Sequence, residues 1–247
     1  LSTGVLVVGV ILLLKGLSPV AGVLLVGYFA AVIVAFIYHD VTKWSSVIRR
    51  SLGRVPKGSI IGPYEVDIGL TIQMLLFTEF VFFGGAFGMY FYIRSTFPLW
   101  PPAGAPVLDD FIPRLQTLIL ISSSILIEWA VWQIRQGNQG RFKAGLIGTT
   151  VLGSLFSVLQ LGVEYPHLIF NSILTPASGF FGASFYLLTG VHGSHVIAGI
   201  VAYSVASARA LVGHYSERNY GFVEAAATYW HFVHIIWLFL FALIWHG

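Results

Sequence analysis

Four histidines fall in two pairs spaced i, i+3: His192 with His195, and His231 with His234. On a helix that spacing brings each pair to one face. Imidazole ligates haem iron, copper and zinc, so both pairs admit a metal reading. Two such residues on one helix do not supply the opposed axial ligands of a bis-histidine haem. The first pair stands in Thr189-Gly190-Val191-His192-Gly193-Ser194-His195. Small residues and polar side chains of that kind also serve close packing between membrane helices, so a structural reading stands beside the metal one. The carboxylates pose a similar choice. Glu79 lies inside the apolar run Leu76-Phe77-Thr78-Glu79-Phe80-Val81-Phe82-Phe83. An ionisable group at membrane depth is costly and is a functional candidate by default. It fits a carboxyl that exchanges a proton, a polar anchor beside a lipid or gas path, or a protonated carboxyl bonded to a neighbouring helix. Glu128 is placed to pair with a basic group such as Arg135 or to reach the membrane interface. Glu164 and Glu224 stand at predicted helix ends, where a carboxylate reaches water. With no cysteine in the chain, disulfides, thiolate metal sites and cysteine-attached haem are excluded. No Gly-rich phosphate loop, Ser-His-Asp set or HExxH motif occurs.

The elements that must carry these residues are membrane spans. The 247 residues are 57% hydrophobic and only 9% charged, against about 25% charged in a soluble domain. Such a chain cannot cover itself with a wettable surface. Seven apolar stretches run roughly over 3–15, 19–38, 66–94, 113–135, 142–164, 179–208 and 220–245. Most are near the ~20 residues a spanning helix needs. They do not alternate in polarity as barrel strands do, and helices satisfy their own backbone polar groups in lipid. The expected fold is an all-α integral membrane protein of seven helices. Its parts are helices one and two in 1–38, a loop over 39–63, and a five-helix bundle over 64–247. The chain begins at Leu1 rather than Met, so an N-terminal piece is expected to be missing. The first stretch lacks the basic flank and cleavage site of a signal peptide.

Basic residues orient the spans. With the N-terminus inside, the inner loops hold Lys43, Arg49, Arg50, Arg54, Lys57, Arg135, Arg141, Lys143, Arg209 and Arg218. The outer side holds only Lys15, Arg94 and Arg114. This bias follows the positive-inside rule and puts the C-terminus outside. The 95–112 segment, with Trp100-Pro101-Pro102, is expected to cap the outer side. Trp44, Trp100, Trp237 and Trp245 fit interfacial aromatic belts. Arg49, Arg50 and Arg209 fall at the inner headgroup level, where basic pockets hold anionic lipid heads and other arginines merely snorkel. The net charge of +3 is too small and dispersed for a nucleic-acid partner.

Ordered blocks of sequence then resemble one family. The run Glu224-Ala225-Ala226-Ala227-Thr228-Tyr229-Trp230-His231-Phe232-Val233-His234-Ile235-Ile236-Trp237 is similar to the last helix of subunit III of the haem-copper respiratory oxidases. The block Thr189 to Val196 resembles the family's T-G-F-H-G-x-H-V. Trp100-Pro101-Pro102, Pro113, Thr117, Ser123 and Trp129-Ala130 follow its spacing, and Thr78-Glu79-Phe80-Val81-Phe82-Phe83 resembles its acidic third helix. Trp44, Val47, Ile48 and Arg49 give a weaker match. The departures mark a divergent member. His234 stands where the family usually has Asp, Thr228 where it has a bulky residue, and Glu128 where it has Thr. Val131 and Trp132 replace two histidines, and Thr71-Ile72 replaces a Gly-Met. Gln160 lies one residue too far from Glu164-Tyr165, and the loop before the sixth helix is longer.

The resemblance implies a subunit with no redox centre of its own and no metal. Haems and copper belong to partner subunits I and II, and accessory subunits or a respiratory supercomplex are further partners. It implies support of proton uptake, oxygen access and complex stability. It also implies phospholipids in a V-shaped cleft between the first two helices and the other five. Glu79 matches the family's intramembrane carboxylate. Arg49 and Arg209 match lipid-headgroup arginines and Trp44 a cleft residue. His192, His195 and His231 match histidines that carry no metal; with Glu128, Glu224 and His234 they are expected to be structural polar residues. The location is a mitochondrial inner membrane or a prokaryotic plasma membrane. A proton-pumping cytochrome c oxidase is favoured over a quinol oxidase, whose subunit III typically lacks the first two helices. A b-type membrane cytochrome using the four histidines is the rival of a different class, and a small-solute transporter a third.

Overall fold

The computed structural model describes residues 68–171 and 174–245. The first two predicted stretches, the 39–63 loop, the cleft, Trp44 and Arg49 lie outside the described residues. The interactions below lie within one compact unit, which ends at Trp245 and begins at Met74.

The described elements are helical: α1 (Ile68–Ser95), α2 (Phe111–Arg135), α3 (Gln139–Leu159), a π-helical segment (Gln160–Glu164), α4 (Tyr165–Phe170), α5 (Gly179–Leu211) and α6 (Gly221–Trp245). Among the described residues, five stretches are long and apolar enough to cross a membrane, with Gln139–Phe170 counted as one. They correspond to the last five predicted stretches. The stretch expected to end at 164 runs on to Phe170, so Glu164 is buried inside a continuous span rather than sitting at a wet end. A π turn takes up one residue more than an α turn, and this one covers the interval from Gln160 to Glu164. The surplus residue in that interval is therefore accommodated without breaking the span. The π segment lies just ahead of Pro166, whose ring and missing N–H already interrupt the α ladder. Between α2 and α3 the chain reverses at Gly137, whose φ of 77° suits glycine after a helix end.

Helices α2, α3, α5 and α6 close a ring, each packed on the next: α2 on α3, α3 on α5, α5 on α6, and α6 on α2. Trp230 of α6 is buried at its centre. A Cβ on Gly153 of α3 would come within 2.9 Å of its ring, and one on Gly199 of α5 within 2.6 Å. The two glycines are notches that let the indole lie between α3 and α5. Its N–H donates to Ser123 Oγ of α2 at 2.9 Å, so one side chain touches three helices. Small residues that permit such approach are the usual means of joining membrane helices. Gly145 does the same for α2 and α3, since a Cβ there would stand 2.6 Å from that of Ala130. Trp237, expected in an interfacial belt, is instead fully buried. It packs edge-on to Phe156 at 4.9 Å and donates to Thr117 Oγ1 at 3.0 Å. Composition cannot separate a belt tryptophan from a core one in an apolar helix.

Helix α1 lies against α5 and α6. Phe83 packs on His195 and Phe232, and Phe87 meets Phe239 with ring centroids 4.5 Å apart. The Tyr90 hydroxyl accepts from the Trp100 indole at 2.9 Å and donates to the Leu243 carbonyl at 3.4 Å. The 96–110 connection is thereby tied to the end of α6.

Candidate functional site

Glu79 and His195 meet across α1 and α5. Glu79 Oε2 lies 2.8 Å from His195 Nε2, and both side chains are mostly shielded. His195 Nδ1 stands 2.8 Å from the Val191 carbonyl oxygen. A carbonyl only accepts, so Nδ1 carries its hydrogen and donates it there. Nε2 then faces the carboxyl with one proton shared between them. That proton sits either on the carboxyl beside a neutral ring, or on the ring beside a carboxylate. Each arrangement leaves the pair without net charge, which relieves the cost of a lone carboxylate at membrane depth. The ring is braced further. Phe83 lies 5.1 Å from it, centroid to centroid, and Tyr229 donates its hydroxyl to the His195 carbonyl at 3.0 Å.

The i, i+3 spacing does not send His192 and His195 to the same neighbour. His192 turns into the ring of helices, stacked on Trp237 at 5.4 Å and edge-on to Phe156 at 6.0 Å. Both of its nitrogens are buried without a hydrogen-bond partner among the described residues. The second pair does share a face. His231 Nε2 lies 2.7 Å from Glu128 Oε1, and His234 Nδ1 lies 2.6 Å from Ser124 Oγ. Glu128 thus bonds an imidazole, where the sequence offered a basic group such as Arg135 or the membrane interface. Arg135 takes Glu224 instead, at 2.6 Å. Glu224 is in the first turn of α6, where a carboxylate is also favoured by the helix dipole.

These bonds form a register along the antiparallel α2–α6 seam: Thr117 with Trp237, Ser124 with His234, Ser123 with Trp230, Glu128 with His231, and Arg135 with Glu224. Among the described residues no group of three or more His, Asp or Glu side chains is gathered as a metal site.

Arg209, in the last turn of α5, sits over two rings, 5.3 Å from Tyr215 and 5.6 Å from Phe222. Tyr215 lies beyond the span. Burial pushes its hydroxyl above the usual tyrosine range, and the Arg209 cation partly offsets this. Sequence reasoning missed a buried polar group beside the π segment. Gln116 of α2 donates its amide to Gln160 Oε1 at 2.9 Å, Glu164 is buried close by in sequence, and Tyr165 bonds Thr189 Oγ1 at 2.9 Å. The signal that could have found it was the surplus residue between Gln160 and Glu164.

The family model described as "Cytochrome c oxidase subunit III" matches residues 2–247. Curated relatives carry the name "Cytochrome c oxidase subunit 3". The protein from Oncorhynchus mykiss is 38% identical over 216 residues, covering 83% of this chain and 78% of its own. That from Marchantia polymorpha is 37% identical over 221 residues, covering 85% and 79%. That from Arabidopsis thaliana is 35% identical over 227 residues, covering 87% and 81%.

Proposed function

Because the chain belongs to the cytochrome c oxidase subunit III family, we propose that its Glu79–His195 pair is a proton-holding site within the membrane part of the oxidase. The chain is a membrane protein and a subunit of a haem-copper oxidase. Its partners in this reading are subunit I, packed beside it, subunit II and accessory subunits. The haems and copper held by those partners supply electron transfer and oxygen reduction. This chain supports proton uptake, oxygen access and the stability of the complex. The cytochrome c branch is preferred to the quinol branch because the relatives at 35% to 38% identity carry that name. Apolar stretches in 1–38 support the same choice.

One observation carries the proton reading: His195 Nδ1 is committed to the Val191 carbonyl while Nε2 meets the Glu79 carboxyl. The pair can pass its shared proton between oxygen and nitrogen without moving either side chain. Arg209, capped by two aromatic rings at the end of α5, is the described member of the lipid-binding set, with Arg49 as a second headgroup arginine and Trp44 as a cleft residue. In this reading the N-terminus lies inside and the C-terminus outside, as the excess of basic residues on the inner side supports. Glu79→Gln tests the proton reading. Its amide can donate to Nε2 and keep the contact, but it cannot give up the proton. The expected result is an oxidase that assembles and starts normally but inactivates sooner during turnover. If initial activity, turnover lifetime and bound lipid all match the unaltered enzyme, the proposal fails.

A further inference from the structure

His195 and His231 each meet a carboxyl; His192 and His234 do not. His192 is 1% exposed. Its ring is stacked on Trp237 and stands edge-on to Phe156. Both of its nitrogens are buried and neither has a hydrogen-bond partner among the described residues. A neutral imidazole carries one N–H and one bare nitrogen, so this side chain needs an acceptor and a donor at once. Buried polar groups are almost always paired, either with protein or with ordered water.

His234 has a matching need. Its Nδ1 takes Ser124 of α2 at 2.6 Å, while its Nε2 is buried with no partner among the described residues. His234 stands three residues before Trp237, so the two share a face of α6. Trp237 is the residue on which His192 stacks. An imidazole anchored to α2 through Nδ1 turns its other nitrogen away from α2. Two side chains bring their charge to bear on His192, and they are His195 and His234. His195 has both nitrogens engaged, with the Val191 carbonyl and Glu79, which leaves Nε2 of His234. A metal would need further ligands, and the described residues gather no third His, Asp or Glu there. Water donates and accepts alike, so it suits both the N–H and the bare nitrogen.

We propose that the core of the helix ring binds internal water between His192 of α5 and Nε2 of His234 on α6. The water extends the Ser124–His234 bond into a polar connection that runs from α2 through α6 to α5. It lies one helical turn along α5 from the Glu79–His195 pair, on the side of the helix that faces the ring.

Hydroxyl-radical footprinting tests this, because a buried side chain is oxidised where water lies against it. The purified oxidase is irradiated and oxidation is read by mass spectrometry at Trp237 and Tyr203, which are equally buried. Tyr203 lies eleven residues beyond His192 on α5, about 16 Å along the axis. The expected result is oxidation of Trp237 without oxidation of Tyr203. In His192→Phe, which keeps an aromatic ring against Trp237 but cannot bond water, the Trp237 signal should fall about tenfold. Trp237 oxidised no more than Tyr203 overturns the proposal, as does a Trp237 signal that survives in the variant. Zinc or copper present in the unaltered oxidase and lost in His192→Phe overturns it in favour of a metal. Trp237 and Tyr203 are compared in the unaltered oxidase, so that answer stands even if the variant fails to assemble.

Discussion

Helices α1 and α6 are nearly equal in apolar character, but 17% of the most apolar window of α1 is buried against 56% for α6. Apolar character does not set that difference, because in lipid the solvent is as apolar as the core and helix association depends on packing and interhelical hydrogen bonds. What distinguishes α6 is the set of groups opposite it: the notches at Gly153 and Gly199, and the polar partners Thr117, Ser123, Ser124, Glu128 and Arg135. Helix α1 bonds α5 through Glu79 and the Leu243 carbonyl of α6 through Tyr90, and it leans on aromatic edges besides.

That contrast can be broken by substitution. Trp230→Ala should give the largest effect, since it empties the space between α3 and α5 and leaves Ser123 without its donor. A loss of about 3–5 kcal/mol is expected, visible as a fall in the thermal midpoint of the detergent-solubilised complex. Gly199→Ala should cost about 1–3 kcal/mol by overpacking, because the new methyl meets the Trp230 ring at 2.6 Å. An unchanged midpoint would mean that the indole has room to retreat and that the notch does not fix the helix spacing. On α1, Phe77→Leu should stay within about 0.5 kcal/mol, as its ring is exposed. A larger loss there would show that α1 is covered by protein and would erase the contrast.

The described spans were legible because length and apolarity alone define them. Their faces were not. Each helix is apolar on all sides, so no periodic stripe separates lipid from neighbour. Trp237 was accordingly assigned to the membrane surface although it is buried in the core. Polar partners were legible as residues but not as pairs. The sequence offered Glu128 a basic group such as Arg135 or the membrane interface, but the antiparallel register of α2 and α6 brings His231 to it and sends Arg135 to Glu224. Glu79 was legible by position, whereas its partner His195 lies 116 residues away. The one-residue surplus before Glu164 was visible as a mismatch in spacing, and its meaning as a π turn needed the backbone.

The seat of Trp230 also bears on how the protein is made. Chains emerge from the ribosome N-terminus first, and α6 is the last of the described spans to be synthesised. Until it arrives, the notches at Gly153 and Gly199 have nothing to receive, and Ser123 lacks the indole that ties α2 to the other two. The link that one indole makes among α2, α3 and α5 is therefore completed only when α6 is in place. Span α6 thus acts as the closing bolt of the described bundle.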